Sequence, residues 1–551
     1  MGGRTAVALL AAWLAASCAP AGVARAPGDA APADPAATQA AAHANGPLFR
    51  TSDACIACHN RVVGPAGEDV SIGSDWRASM MANSARDPYW HAAVRREIME
   101  HPDARAAIED KCATCHMPMA RYSAHTEGGS GSVFENLPVG AAPGARAILA
   151  ADGVSCSVCH QISPEGLGDP SSFSGGFTIG AAPGGAVFGP FGVDAGRRRI
   201  MASATGLQPD SSAHIQSSEL CGSCHTLHTH PLAGDEAGEF PEQMPYQEWL
   251  HSDYAGERSC QSCHMPEVEG EVAVTGVLGR PRAGVNRHAF RGGNFFMLRM
   301  LNRYRDELGV QAPSPELEAA ARRTVEHLQT RTARLEIRAL ERSGGRLRFD
   351  VAVENLAGHK LPSAYPSRRA WLHVTVTDEA GAVLFESGRF RPDGSIEGND
   401  SDEDATRYER HHRTIERADQ VQIYEAIMEH GDGGGPTTGL LNAVAYLKDN
   451  RLLPRGFEPV TAHPDVAVLG AAAADQDFHG GSDVVSFDLA IDGAAGPMDV
   501  AVALRYQPIA YRWALNLADF PAFETDRFVR YYQSMASGSS LVVAEVEGRV
   551  E

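Results

Sequence analysis

The chain has 551 residues, of which 43% are hydrophobic and 21% charged, the composition of a folded protein too long for a single core. Its formal net charge of −21 excludes nucleic-acid binding, which needs clustered Lys and Arg, and suits a basic or neutral partner. With 56 Gly, 33 Pro and 7% aromatic residues, long irregular connections are expected.

Residues 1–17 read as an export signal: Arg4 is the positive end, Ala6 to Ala16 is apolar, and Ala15, Ala16 and Ser17 precede Cys18. The stretch is too short to span a bilayer, and no other segment has the apolar length to do so. Cys18 stands where a bacterial lipoprotein signal carries its lipid, although Ala15 replaces the usual large aliphatic residue. A lipid-anchored protein of the periplasm or outer membrane is therefore expected, without a transmembrane helix. Residues 18–46 are mostly Ala, Pro and Gly and cannot bury enough surface to fold, which predicts a disordered tether.

Residues 47–301 are expected to be loop-rich and mainly helical. Asp87-Pro88 is a cap followed by proline at the first helical position, with Trp90, Val94 and Ile98 at helical spacing. Ser314-Pro315-Glu316 starts a longer helix with Leu317, Ala321, Val325 and Leu328 on one stripe, a connector over 302–332. Beyond it the period changes to two: Leu335/Ile337/Ala339, Leu347/Phe349/Val351/Val353, Trp371 onward, Val383–Phe385, Val485/Phe487/Leu489/Ile491, Val500/Val502/Leu504 and Leu541–Val546. This predicts an antiparallel β-sandwich over 333–551 and an α+β, multidomain chain. The rhythm fails over about 391–464, where a helical or irregular insertion is expected.

Five copies of Cys-x-x-Cys-His occur, at Cys55/Cys58/His59, Cys112/Cys115/His116, Cys156/Cys159/His160, Cys221/Cys224/His225 and Cys260/Cys263/His264. With 11 Cys and 22 His, chance supplies about 0.009 copies. Two thiols a short turn apart can form thioethers to both vinyl groups of one porphyrin, while the next His turns its imidazole onto the iron. Five covalently bound haem c groups follow, with the ten cysteines holding the macrocycles and the five histidines as proximal iron ligands. Paired zinc knuckles would not require a His after every second Cys. A redox dithiol needs one such motif beside a βαβ unit, and structural disulfides leave the histidines unexplained.

What fills the sixth position of each iron separates electron transfer from chemistry on a small molecule. The candidates are His288, in the glycine-flanked segment Asn286–Asn294, and His214, seven residues before Cys221 and able to reach a neighbouring haem. A third is His359, in a loop after a strand, where Gly358 and Pro362 shape a projecting turn that would plug the β domain into the haem domain. His125, His91 and His228 follow, with His230 and His251 behind them; a helix side chain packed beside Trp90 is the plainer role of His91. Met117 and Met265 directly follow proximal histidines, so packing against haem is expected of them, and Met80 and Met81 beside Trp76 are read as core.

Residues 52–301 resemble the multihaem c-type cytochromes grouped with cytochrome c554. The resemblance is carried by Cys55–His59 followed by Trp76-Arg77-Ala78-Ser79, by Lys111–Met119, by Ser218–His225, and by Trp249 through Cys260–Pro266. It implies closely packed haems, mostly with two axial His, that shuttle electrons to redox partner proteins. Asn355–Arg369 with the Trp371 strand looks like a β domain appended to some larger multihaem cytochromes. Founding members of the group carry four haems, so haem order is not carried over. Pentahaem nitrite reductases commonly use Lys as proximal ligand at their reactive haem, whereas all five motifs here end in His. Hydroxylamine oxidases typically have more haems and a cross-linking Tyr. The reading therefore favours an electron carrier and names no catalytic residue. An oxidoreductase acting on a small nitrogen or oxygen compound at an open distal site is the alternative, and partner docking is a further role for the β domain.

Overall fold

Asp87 accepts hydrogen bonds from the backbone N–H groups of Tyr89 and Trp90 at 2.8 and 3.2 Å and so caps helix α1, Pro88–Glu100. Trp90, Val94 and Ile98 bury along one stripe, as their spacing predicts. The computed structural model describes residues 48–180, 185–233, 238–491 and 496–551. The export signal, the lipidation expected at Cys18 and the tether over 18–46 lie outside the described residues.

Helix α2, Arg105–His116, carries the second motif in its last turn and is followed by α3, Pro118–Thr126. The other motifs sit on short helical segments, among them Cys156–Cys159 and Cys260–His264. There the His backbone N–H bonds the carbonyl of the first Cys, at 3.0 Å for His59 and Cys55, 3.0 Å for His160 and Cys156, and 2.8 Å for His225 and Cys221. One helical turn thus sets two sulfurs and an imidazole in register. Helices α4, Phe295–Arg303, and α5, Ser314–Arg331, follow, with Leu317, Ala321 and Leu328 buried on the expected stripe of α5.

Among the described residues nine strands of five residues or more then form in order: β1 (Ala333–Ser343), β2 (Arg346–Asn355), β3 (Arg369–Asp378), β4 (Val383–Ser387), β5 (Ile423–His430), β6 (Ala443–Asp449), β7 (Ser482–Ala490), β8 (Met498–Gln507) and β9 (Leu541–Val550). A seven-stranded sheet runs β5-β3-β8-β9, with β6 and the short Pro436–Thr437 also on β5 and β4 also on β3. A four-stranded sheet runs β1-β2-β7 and ends on Thr414–Ile415, which pairs parallel to β7. The labelled strands otherwise pair antiparallel, with Phe349 opposite Phe487 and Val374 opposite Val502. Leu347, Phe349, Val351, Phe487 and Leu489 of one sheet and Leu372, Val374, Val500 and Val502 of the other belong to one apolar cluster, which also takes in α4 and α5. The α+β class is as expected, and Pro47–Glu551 packs as one compact unit.

Over 391–464 the structure departs from the irregular or helical insertion expected there, because β5 and β6 form within it. The first six residues of β5 are all buried, so the strand has no polar face and shows no alternation. None of the described helices is long and apolar enough to cross a membrane.

Candidate functional site

One cavity of about 1550 Å³ is lined by all ten motif cysteines and all five motif histidines. Motifs spread over two hundred residues of sequence therefore open on one continuous space. Cys55 neighbours Cys156, Cys115 neighbours Cys224 and Cys221 neighbours Cys260, so the first motif borders the third and the fourth borders the second and the fifth. Burial pushes the Cys112 and Cys159 thiols up, the latter to about 11. These residues fit haem c, which needs paired thiols and an imidazole nitrogen facing apolar space.

Four of the five motif imidazoles are fixed by backbone carbonyls. The Nδ1 atoms of His59, His116 and His160 lie 2.8, 3.0 and 2.6 Å from the carbonyl oxygens of Val274, Ser84 and Phe188, and His264 Nδ1 bonds that of Arg291. An imidazole donating through Nδ1 keeps the lone pair on Nε2, the state that binds a metal. Burial pushes His116 and His225 down to about 4, and it lowers His160 and His264, so these rings are neutral at neutral pH. Trp90 stacks on His116 at 4.2 Å between ring centres and holds its plane.

Two of the sequence candidates face motif histidines across the cavity. The His288 ring centre lies 6.2 Å from that of His160 with planes 16° apart, and His359 lies 6.1 Å from His264 with planes 14° apart. Their Nδ1 atoms lie 3.3 Å from the Asn286 carbonyl oxygen and 2.8 Å from that of Lys360. Burial pushes His288 down to about 3. The segment holding His288 serves both places, since its Arg291 carbonyl orients His264, while Arg287 anchors it to Asp75 through two 2.8 Å bonds.

The other candidates are engaged elsewhere. His214 has ring nitrogens 2.7 Å from Ser212 Oγ and 2.9 Å from the Ile162 carbonyl oxygen. His91 packs beside Trp90, with Nε2 2.9 Å from the Ala85 carbonyl oxygen and Nδ1 accepting from Arg527 at 2.9 Å. His125 pairs with Asp110 at 2.7 Å, His228 with Asp465 at 2.8 Å, and exposed His230 lies 3.6 Å from Glu239. His251 Nδ1 lies 2.8 Å from the Gln247 carbonyl oxygen. Met117 is buried beside α1, while Met80, Met81 and Met265 line the cavity.

Sequence reasoning missed His327. It lies on α5, lines the cavity, and its ring centre is 6.1 Å from that of His264 with planes 52° apart. Its position beside buried Leu328 on the apolar stripe was the available signal, set aside when α5 was read as a connector. Among the described residues, no second imidazole faces His59, His116 or His225 at the spacing seen for His160 and His264.

His359 is delivered by a buried charge network. Glu248, on the short helix Pro245–Leu250, accepts from the Lys360 backbone N–H at 3.1 Å and Ser363 Oγ at 2.5 Å and pairs with Arg451 at 2.9 Å. Arg451 and Lys360 both bind Asp449, at 2.7 Å each. Burial opposes the Asp449 charge, but the two cations hold its carboxyl well below its usual range. Gly358 allows the close approach: a Cβ there would stand 3.3 Å from Tyr254 and 3.5 Å from Trp249.

A second group of buried ligand-type side chains, His411, Asp475 and Asp483, lies outside this cavity. Both Gln422 and Asn450 donate to His411 Nδ1, at 2.8 and 3.1 Å, and backbone bonds from the His412 N–H to Gln422 Oε1 and the Glu425 N–H to Asn450 Oδ1 fix both amides. The imidazole proton therefore sits on Nε2, facing Asp475 at 3.1 Å, which is a structural His–Asp pair and the wrong tautomer for a metal there.

No protein-family model and no curated protein matches the sequence. The structure is similar to the crystal structure of a penta-heme cytochrome c552 from Thermochromatium tepidum, with a TM-score of 0.52 and 16% identity over 92% of this chain and 100% of that one. At this identity the likeness is one of fold, and it extends over nearly the whole chain.

Proposed function

We propose that this chain is a pentahaem c-type cytochrome, akin to the cytochrome c554 group, that carries electrons in the bacterial cell envelope. Haem c is held through Cys55, Cys58, Cys112, Cys115, Cys156, Cys159, Cys221, Cys224, Cys260 and Cys263, with His59, His116, His160, His225 and His264 as proximal ligands. The observation that carries the reading is the single apolar cavity onto which all five motifs open. When bound, haem c supplies a one-electron couple; the chain supplies the rest. Its carbonyls fix four imidazoles, its apolar walls exclude water, and its adjacent motifs bring the redox centres into one contiguous set.

Two imidazoles on opposite faces of one iron, each with its nitrogen about 2 Å from the metal and about 1 Å from its own ring centre, have centres about 6 Å apart. The His160–His288 and His264–His359 pairs have that spacing. His288 and His359 are therefore assigned as distal ligands, which makes the 333–551 sandwich a contributor to the redox site as well as a surface for partners. The lack of such a partner for His59, His116 and His225 among the described residues favours a second reading, an iron with an open distal position that acts on a small nitrogen or oxygen compound. Export by residues 1–17 and lipid attachment at Cys18 complete the proposal.

Electron paramagnetic resonance of the mature protein tests it, with intact mass counting the haems. His288→Ala is expected to turn one low-spin iron high-spin or water-bound and to leave the other four irons unchanged. A mass excess of fewer than five haems, or an unchanged spectrum, rejects the count or the ligand. A high-spin fraction in the wild type selects the second reading.

A further inference from the structure

In a chain of net charge −21, several arginines lie close to the first motif. The segment after Val274 is tied to that motif, since Val274 supplies the carbonyl that orients His59 and both Thr275 Oγ1 and the Gly276 N–H donate to the Cys58 carbonyl, at 2.7 and 2.9 Å. It then continues along the cavity wall as Val277 and Leu278, 47% and 61% exposed, a wall that also includes Ile200 at 46%. Leu278 adopts a φ of 52°, a conformation that non-glycine residues rarely take, and its carbonyl accepts from the Arg197 guanidinium at 3.0 and 2.8 Å. That contact joins the loop to the helix Ala195–Thr205 with its Arg197-Arg198-Arg199 run.

Arg197, Arg198 and Arg199 stand on that helix, Arg280 and Arg282 line the cavity with Val277 and Leu278, and Arg61 lies against Gly276. Asp194 neutralises Arg197, and Asp210 reaches Arg198 only at 4.0 Å. Arg61, Arg199 and Arg280 have no carboxylate within ion-pair distance among the described residues.

We propose that this surface docks an acidic redox protein and that the haem of the first motif is the port through which electrons cross. The inference rests on the electron-transfer reading and deepens it. An acidic partner is repelled by most of this protein and attracted here, so the charge pattern selects one orientation during approach. Guanidinium forks suit carboxylates, while the apolar centre can shed water and let the two redox groups come close. The first motif also lies at an edge of the set: its Cys55 meets Cys156 of the third motif, whereas the fourth motif meets both the second and the fifth. In the transfer itself one electron leaves the partner, one ferric haem becomes ferrous, and no bond or proton need move.

The test is stopped-flow reduction of the haem-loaded protein by a reduced plant-type [2Fe–2S] ferredoxin, an acidic one-electron protein, with photoreduced riboflavin as the uncharged comparison. The second-order rate with ferredoxin is expected to fall steeply as salt is raised. Combining Arg198→Glu, Arg199→Glu and Arg280→Glu should lower it at least ten-fold at low salt and leave the riboflavin rate, the haem spectrum and the unfolding midpoint unchanged. Arg198→Lys with Arg199→Lys, which keeps the charge, should retain most of the wild-type rate. A ferredoxin rate that ignores both salt and the charge reversals overturns the proposal. So does binding to phosphatidylglycerol vesicles that the reversals abolish while the ferredoxin rate stays, an outcome that would assign the surface to lipid. A protein whose mass shows no haem would instead sink the electron-transfer reading, whereas full haem loading with an indifferent ferredoxin rate sinks only the docking site.

Discussion

Residues 48–301 and residues 333–551 solve the problem of a core in opposite ways. In the second region, inward side chains of the two sheets meet one another, as in the stack of Phe349 on Phe487 with ring centres 4.8 Å apart. In the first, small clusters around Trp90, Phe49 and Val62, together with α4, which joins the core of the second region, border a cavity of about 1550 Å³. A filled core is stable through its own dispersion and burial, whereas walls around a space forfeit those contacts until something occupies it. The β region is thus a scaffold, and the motif region is a mould for its prosthetic groups.

The largest expected effect follows from that contrast. Chain made in cells without cytochrome c maturation should lack ordered structure over 48–301 and keep the sheets of 333–551. Limited proteolysis with mass mapping should find cuts clustered before α4 and protection from β1 onward. Equal protection of both regions would mean that the motif half has a sufficient core of its own.

Next in size is the join between the regions. Glu248 is completely buried and answers Arg451, Ser363 and the Lys360 N–H. Removing one member of such a network leaves the others charged and unpaired, which costs about 3–5 kcal/mol. Glu248→Ala should lower the denaturant midpoint of the haem-loaded protein accordingly, and hydrogen exchange should quicken first over 358–363, the segment that presents His359. Glu248→Gln keeps the shape and an acceptor, so it should cost less. If Glu248→Ala is neutral, the two regions are held by apolar contacts alone.

Much of this organisation was legible beforehand, and the misses share a cause. Alternation revealed β1, β2, β7, β8 and β9 because each has one wet face. It could not reveal Ile423–Met428, where every side chain, Glu425 included, is buried and no wet face alternates with a dry one. The Cys-x-x-Cys-His motifs were unmistakable because their chemistry is local. His288 and His359 stood out through flanking Gly and Pro, whereas His327 sits in an ordinary helical stretch and acquires its meaning only when α5 is packed beside His264. Net charge failed in the same way. A total of −21 suits a basic or neutral partner, but a sum carries no positions, and Arg197 meets the segment of Leu278 and Arg280 only in the fold.

The smallest effect separates a structural histidine from a ligand. Asp110 on α2 binds His125 at 2.7 Å, Arg121 at 3.0 Å and the Gly131 N–H at 2.6 Å, closing the glycine-rich 128–131 loop over the second motif. Burial works against the charged carboxylate, but Arg121, His125 and the Gly131 N–H outweigh it and hold Asp110 below its ordinary value of 3.8. A depressed acid binds fewer protons folded than unfolded, so its contribution is complete above the unfolded value and is lost as pH falls through the folded one. Because the site is partly open to water and screened, the contribution is about 1 kcal/mol. Asp110→Asn should therefore lower the unfolding midpoint by a constant small amount from pH 5 to 8, with the gap to wild type closing below about pH 4. The haem spectrum should not change, since His125 would lose a carboxylate and no iron would lose a ligand. A low-spin to high-spin conversion in that variant would place His125 on an iron and move it from the scaffold to the redox centre.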